Sequence, residues 1–220
     1  MMKKNFTIYI FILIANSLFA QNKSDVAKQQ IKDLKEGILV LNLPTVLDDV
    51  TKYRATQSIY VKKDPVYKER VEMIIAEKLK ENKRLQNDIV KGMDSFYHFS
   101  PYIIVYDTAK TVFFDKNLKK IDNYVLPENY FYLSYKTVQV STELVRNSFV
   151  LSDKKEHFLE NPFPWEIPFR FYKLKIGEKK QVFKYAKWNF LRKRYHWKTN
   201  PYLAVPEVLN AVLDNFYSEN

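Results

Sequence analysis

The densest group of chemically capable side chains in this sequence lies between Arg170 and Lys198, called the basic segment below. Eleven lysines and arginines occur there against a single acid, Glu178. Eight aromatic residues are interleaved with them: Phe171, Tyr172, Phe183, Tyr185, Trp188, Phe190, Tyr195 and Trp197. Positive charge attracts an anionic polymer or membrane surface, while planar rings stack on bases or sugars or lie at a headgroup boundary. The composition of the basic segment therefore favours binding of an anionic partner.

Almost all of the net charge of the chain is concentrated in this segment. The whole chain has a formal charge of +11 at pH 7, and the 29 residues of the basic segment contribute +10. Lys3 and Lys4 add two more positive charges near the start, so the remainder of residues 21–220 carries about −1. The excess is thus a local feature and not a general property of the surface.

Seven residues of the basic segment are the candidates for contact with the partner: Lys184, Lys187, Trp188, Arg192, Arg194, Tyr195 and Trp197. The expected partner is an anionic lipid, a glycan or an acidic protein. Nucleic acid is not expected, because the sequence contains no recognisable nucleic-acid-binding motif. An alternative stays open, since residues 183–188 alternate in the way of a lysine-bearing edge hairpin. In that case the charges would prevent aggregation and the rings would face the core.

A second candidate site consists of two carboxylates, Glu160 and Glu166, on either side of the segment Asn161-Pro162-Phe163-Pro164-Trp165. Glycoside hydrolases use two carboxylates that face each other across the sugar, about 5–10 Å apart. Trp165 would then be a stacking platform for the sugar. Salt bridges or plain solvation explain two glutamates better, so we expect a non-catalytic protein and keep an exported glycan hydrolase as the alternative.

Composition excludes several other kinds of site. Cysteine is absent, so there is no disulfide, thiolate metal site or cysteine nucleophile. The only glycines, Gly37, Gly92 and Gly177, are far apart, which excludes a Walker loop, a dinucleotide fingerprint and a nucleophile elbow. The three histidines have no metal-ligand spacing. We therefore predict neither a metal nor a cofactor.

The first twenty residues are typical of a secretory signal peptide. Two lysines precede an uncharged apolar run, residues 6–15, and Ala20 is a small residue at the expected cleavage site. The apolar run is shorter than the roughly 20 residues of a membrane-spanning helix. We therefore expect residues 1–20 to be a signal peptide and residues 21–220 to form one domain without a transmembrane segment, located in the periplasm or secreted.

The remaining pattern predicts an α/β (or α+β) fold, a mixed sheet with N-terminal, long central and C-terminal helices packed on it and a hairpin-rich second half. The expected helices begin at Ser24, with Gly37 in the usual C′ position, at Pro65, with a break possible near Asn82 or Gly92, and at Pro206. The runs Ile38–Leu43 and Tyr102–Tyr106 are uninterruptedly apolar, as in interior strands. Further strands are expected at 111–114, 118–121, 130–140, 148–151 and 169–174, with Asp-Lys turns after Phe114 and Ser152.

Three places in the sequence resemble a family of uncharacterised secreted proteins of Gram-negative bacteria. They are the helix-to-strand opening Leu34–Leu41, the aromatic Pro-Phe-Pro segment that follows an Asp-Lys hairpin, and the terminal helix Val208–Tyr217. The resemblance implies secretion and one shared α/β fold, and it implies no activity. Ser100 stands where members of that family often carry cysteine, so a thiol role does not extend to this chain.

Overall fold

The computed structural model describes residues 23–60, 65–139, 145–160, 163–164, 166–167 and 200–219. This part of the chain contains four helices: α1 (23–36), α2 (Leu47–Tyr60), α3 (Pro65–Phe96) and α4 (Pro201–Glu219). It also contains seven strands: β1 (Ile38–Leu43), β2 (Tyr102–Tyr106), β3 (Ala109–Phe114), β4 (Lys120–Ile121), β5 (Tyr130–Gln139), β6 (Val145–Ser152) and β7 (Glu166–Ile167). The predicted α/β class is confirmed. The predicted signal peptide and the strand expected at 169–174 lie outside the described residues.

The seven strands form one mixed sheet in the order β4-β3-β2-β1-β5-β6-β7. The central strand β1 is parallel to both neighbours, β2 and β5, and the outer pairs are antiparallel. All six residues of β1 are buried. This explains its uninterrupted apolar run, because a strand covered on both faces has no solvent-facing side to alternate with. The predicted bounds of β1 and β2 are both confirmed.

One face of the sheet is covered by helices. Leu39, Leu41 and Leu43 of β1 lie in a core to which α1 contributes Ala27, Ile31 and Leu34, and to which α3 contributes Leu85, Ile89 and Met93. Helix α4 contributes seven residues to this core: Tyr202, Val205, Val208, Leu209, Val212, Leu213 and Phe216. Each large apolar side chain buried in this way contributes about 1.5–3 kcal/mol of transfer free energy. Helices α1, α3 and α4 thus account for the predicted helical cover.

The opposite face, called the second face below, has an apolar half and a polar half. Val40, Val105 and Phe113 form a smaller cluster, on which Tyr124 and Leu126 pack from the connection between β4 and β5. This connection joins strands on opposite sides of β1 in the sheet. The polar half lies toward the carboxyl ends of β1 and β5 and is described in the next section.

Helices α2 and α3 form a hairpin, of which the sequence predicts only α3. The helix α3 continues through Asn82 and Gly92, so the expected break is absent. Asn82 is buried within an otherwise mostly exposed charged stretch, because its Nδ2 donates to the carbonyl oxygen of Pro44 at 3.0 Å. Gln86 donates to the same oxygen at 2.6 Å. These two amides attach α3 to the loop that follows β1.

The predicted start of the last helix at Pro206 is wrong. Helix α4 begins at Pro201, where proline suits the first helical position, and the side chain of Asn200 accepts a hydrogen bond from the Leu203 amide at 3.4 Å. Pro206 lies inside the helix and is buried. It packs against Gly92 of α3, where a Cβ atom would lie 3.0 Å from Cγ of Pro206.

The expected role of Gly37 also needs correction. A glycine at C′ ordinarily adopts a left-handed conformation, but no glycine in the described part of the chain has a positive φ. A Cβ atom at Gly37 would instead collide with the carbonyl oxygen of Asn129 and lie 2.7 Å from that of Asp33. Glycine is therefore required here by close backbone approach at the start of β1.

Candidate functional site

The seven residues predicted to contact an anionic partner all lie outside the described residues. They are Lys184, Lys187, Trp188, Arg192, Arg194, Tyr195 and Trp197. Trp165, the suggested sugar platform, also lies outside them. The choice between a binding surface and an edge hairpin for the basic segment therefore stays a prediction.

Glu166 is held in an ion pair between two strands. Its carboxylate accepts hydrogen bonds from Nε and Nη2 of Arg146, both at 2.6 Å, and from Oγ of Ser148 at 2.5 Å. The Arg146 and Glu166 side chains are 14% and 16% exposed, so water competes little for these bonds. A bidentate guanidinium–carboxylate pair of this kind fixes geometry. Its contacts tie β7 to β6.

Glu160 lies in different surroundings from Glu166. It is 3.4 Å from Nζ of Lys23, and both side chains are exposed. The residue Phe163, in the Pro-Phe-Pro segment between the two glutamates, is fully buried and packs edge-on against Phe216 of α4. The segment is therefore anchored in the helical core by its aromatic residue. Glu160 is thus paired with Lys23, and Glu166 with Arg146. The hydrolase alternative stays a prediction.

The polar half of the second face, which is the face opposite the helices, consists of side chains that the sheet register brings together. Asn42 of β1 is paired with Ser134 of β5, and its Nδ2 donates to Oγ of Ser134 at 3.3 Å. Two residues further along β5, Lys136 is paired with Ser148 of β6. Asn42, Ser134 and Ser148 are all buried. Polar residues thus occupy interior positions on the carboxyl half of the parallel strands, where α/β proteins commonly bind ligands.

Within the described residues, two buried polar atoms on this face have no hydrogen-bond partner. They are Oδ1 of Asn42 and Oγ of Ser152, and Ser152 is paired with Tyr132 in the ladder of β5 and β6. A buried polar group without a partner costs about 1–3 kcal/mol, so such groups are uncommon and call for an explanation. They provide spare hydrogen-bonding capacity on either side of β5.

A cluster of three charged residues lies above the same strands. The carboxylate of Glu156 binds Nζ of Lys110 through one oxygen and Nζ of Lys136 through the other, at 2.7 Å for Lys136. Lys110 belongs to β3 and Lys136 to β5, which are separated in the sheet by β2 and β1. The hydrogen bonds from Lys110 and Lys136 lower the pKa of the Glu156 carboxyl from 4.5 to about 2. Glu156 is therefore an anion at any physiological pH.

The backbone around Glu156 is fixed by Asp153. One carboxylate oxygen of Asp153 accepts the amide hydrogens of Lys155 and His157, both at 2.9 Å, and Glu156 has a φ of 62°. The other predicted Asp-Lys turn has the same construction. Asp115 accepts the amides of Asn117 and Lys119 at 2.9 and 2.8 Å, and Leu118 has a φ of 59°. The two turns therefore use the same chemistry, and Glu156 occupies the position that Leu118 has in the first.

Tyr132 forms the aromatic side of this cluster. Nζ of Lys110 lies 5.9 Å from the centre of its ring, and Tyr130 packs against the ring edge-on at a centroid distance of 5.5 Å. Burial, with a contribution from Tyr130, raises the pKa of the Tyr132 hydroxyl to about 12. The hydroxyl is therefore protonated at neutral pH.

A separate groove lies between α1 and α4. Its volume is about 390 Å³, and it is lined by Asp25, Lys28, Gln29, Ile31, Lys32, Phe216 and Tyr217. Neither Glu160 nor Glu166 lines this groove. It therefore does not provide the concave pocket with two facing carboxylates that a glycan hydrolase needs.

Sequence reasoning did not identify Lys110, Lys136 and Glu156 as a group. These residues are far apart in the chain, and only the strand order brings them together. A partial signal exists in the second Asp-Lys turn, where the left-handed position carries the charged residue Glu156 instead of an apolar one. Another is Lys136 within the alternating strand β5, on the same face as Ser134.

Comparison of the chain with protein-family models, with curated proteins and with solved structures finds no significant match. The resemblance to a family of secreted proteins therefore stays a prediction. Within the described ranges, none of the helices combines the length and the apolar character needed to span a bilayer.

Proposed function

We propose that the protein is an exported protein of the bacterial cell envelope that binds an anionic partner and does not catalyse a reaction on it. The observation that carries the proposal is the charge distribution of the sequence. The basic segment has eleven basic residues and one acid, whereas the remainder of residues 21–220 is close to neutral. Interleaved aromatic rings give such a segment contact area in addition to attraction.

The described residues support this distinction, because several of their charges are paired with neighbours. Ion pairs join α2 to α3 through Asp49 and Lys78, and α3 to the turn after β3 through Asp94 and Lys116. Arg146 and Glu166 form a further pair within the sheet. Basic side chains paired in this way are less available to a partner, whereas the basic segment has only one acid for its eleven basic residues.

The glycan hydrolase alternative has less support. It requires two carboxylates that converge on a shared cleft. Glu166 is engaged by Arg146 and Ser148, and Glu160 is near Lys23. These contacts are sufficient to explain both residues without a substrate.

The binding proposal can be tested with vesicles of phosphatidylcholine that contain or lack phosphatidylglycerol, and with an acidic polysaccharide and an acidic protein. We expect retention on at least one anionic surface that weakens steeply between low and physiological salt, because exposed charges are screened over about 8 Å at that ionic strength. The variant K184E/K187E/R192E/R194E should lose this binding. No salt-sensitive retention on any of these surfaces would refute the proposal.

The described helices provide a matched control. Lys52, Lys68, Lys80 and Lys83 are exposed on α2 and α3, so reversal of these four charges to Glu changes the net charge by the same amount. We expect the control variant to keep most of its binding. An equal loss in both variants would show that total charge matters and the basic segment does not. Thermal unfolding of both variants checks that each remains folded.

Export is tested separately by the mass of the protein recovered from a bacterial host. We expect the chain to begin at Gln21 in the periplasm or medium, since cleavage after Ala20 fits the pattern of the leader. Recovery of most molecules with residues 1–20 retained would contradict the export part of the proposal.

A further inference from the structure

We propose that Lys110 and Lys136 form a binding site for a single oxyanion group of a ligand, a carboxylate or a phosphate, and that the side chain of Glu156 is its built-in competitor. The site lies on the second face of the sheet, and none of its three residues belongs to the basic segment.

The first argument is the ratio of charges. One cation is enough to balance a carboxylate, but Glu156 has two, each on its own oxygen, so the cluster carries a net positive charge. Two ammonium groups that converge on one point repel each other unless an anion lies between them. The geometry of Lys110 and Lys136 therefore requires an anion at this position, and the planar carboxylate of Glu156 shows the size and shape of the group that fits.

The second argument is the position of the two lysines in the sheet. Lys110 is next to Ala109, which is paired with Tyr106 at the carboxyl end of β2. Lys136 lies two residues beyond Ser134, whose partner Asn42 is near the carboxyl end of β1. Both lysines thus project from the carboxyl half of the parallel part of the sheet. From the carboxyl ends of the parallel neighbours β1 and β5 the chain continues in opposite directions along the sheet, to β2 and to β6, which is the arrangement at which open α/β sheets bind ligands.

The third argument is the spare hydrogen-bonding capacity beside the lysines. Oδ1 of Asn42 and Oγ of Ser152 are buried without partners on the same face. Their strand partners are Ser134 and Tyr132, the residues that precede Lys136 on this face of β5. The interior of the sheet beside the lysines is therefore polar, with hydrogen-bonding capacity that the strands themselves do not use.

The fourth argument is that Glu156 can be displaced without unfolding the turn that bears it. Its side chain is 41% exposed, and the turn is held by Asp153 and by the hydrogen bond between the amide of Asp153 and the carbonyl of His157 at 2.9 Å. None of these backbone bonds uses the Glu156 carboxylate. A solution anion can therefore take its place at the two ammonium groups while the backbone remains where it is.

The test follows the ammonium groups of individual lysines by NMR during titration with inorganic phosphate, and separately with acetate, at constant ionic strength. The signals of Lys110 and Lys136 are assigned with K110R and K136R. In E156Q we expect both signals to shift together and to saturate, with phosphate binding at least tenfold tighter than in the unmodified protein. A tenfold change corresponds to about 1.4 kcal/mol. In K110Q/E156Q and K136Q/E156Q this gain should be lost.

The matched control is E69Q, which removes the same charge from an exposed glutamate of α3. Saturation with phosphate alone would assign the site to phosphate groups, and saturation with both anions would extend it to carboxylates. If Lys110 and Lys136 in E156Q shift no more than the exposed Lys80 and Lys83, the proposal is wrong. The basic segment is intact in every variant, so this result is separate from the outcome of the vesicle experiment.

Discussion

Gly92 of α3 lies directly against Pro206 of α4, with so little space between them that a Cβ atom on Gly92 would be 3.0 Å from Cγ of Pro206 and 2.8 Å from the carbonyl oxygen of Leu203. Two of the helices that cover the sheet, α3 and α4, therefore touch through the smallest residue and the most rigid one. This contact explains a glycine in the interior of a helix, where it would otherwise cost about 1 kcal/mol relative to alanine.

We expect Gly92→Ala to destabilise the protein. Alanine gains about 1 kcal/mol of helix propensity, but insertion of a methyl group into a packed contact costs about 1–3 kcal/mol, and the close atoms here belong to backbone and to a proline ring. The net result should be a loss of roughly 1 kcal/mol in the free energy of unfolding, measured by urea denaturation. Lys91→Ala, at an exposed position of the same helix, is the control. A stabilised Gly92→Ala protein would contradict the contact.

Ile104 tests the position of β2 in the interior. Its side chain is fully buried in the helical core, so Ile104→Ala should lower the free energy of unfolding by about 2–5 kcal/mol. Val125 is 83% exposed, and Val125→Ala should change stability by less than about 0.5 kcal/mol. Equal effects of the two substitutions would be inconsistent with an interior strand.

The ion pair of Arg146 and Glu166 should contribute to the attachment of β7. Glu166→Gln keeps the shape of the side chain but leaves a partly buried guanidinium without its counter-charge, so we expect a loss of about 1–3 kcal/mol. A double-mutant cycle with Arg146→Met isolates the pair, and the double variant should lose less than the sum of the single changes. Additive losses would show that the two side chains do not interact in solution.

The pKa of Glu156 predicts a pH dependence. The folded value of about 2 is below the ordinary value of 4.5, so the stabilisation is fully present above pH 4.5 and is lost as the pH falls toward 2. The group is more than one-third exposed, so solvent screening limits the effect to below about 1 kcal/mol. The difference in stability between the unmodified protein and E156Q should therefore vanish near pH 2. An NMR titration of the Glu156 side chain with a midpoint near 4.5 would contradict this prediction.

The sequence predicts the centre of the fold well, because the centre depends on local signals. The strands β1 and β2 are apolar throughout, and Pro44 and Pro101 mark the end of one and the start of the other. Helix α2 has no comparable signal, since among its residues 47–58 only Val50 is buried in the small cluster with α3. The start of α4 was placed wrongly because Pro201 and Pro206 are equally suitable first residues in sequence, and only packing on Gly92 distinguishes them.

The candidate anion site could not be predicted in the same way. Lys110, Lys136 and Glu156 come together because β3 and β5 lie on opposite sides of β1 and β2, and one sequence does not determine that order. Asn42 is a different case. Its place inside an apolar run is visible in the sequence, and a polar residue at a buried position is an informative signal.

The length of α3 has a further consequence for how the molecule opens. Its 32 residues rise about 48 Å. The C-terminal part is buried in the main core, whereas Val71 and Ile75 in the N-terminal part belong only to the small cluster with α2. One continuous helix therefore joins the large core at one end to a small apolar cluster at the other. Amide hydrogens of α2 should exchange with solvent through local fraying, and those of β1 only through global unfolding. The amide hydrogens at the two ends of α3 should differ in protection in the same way.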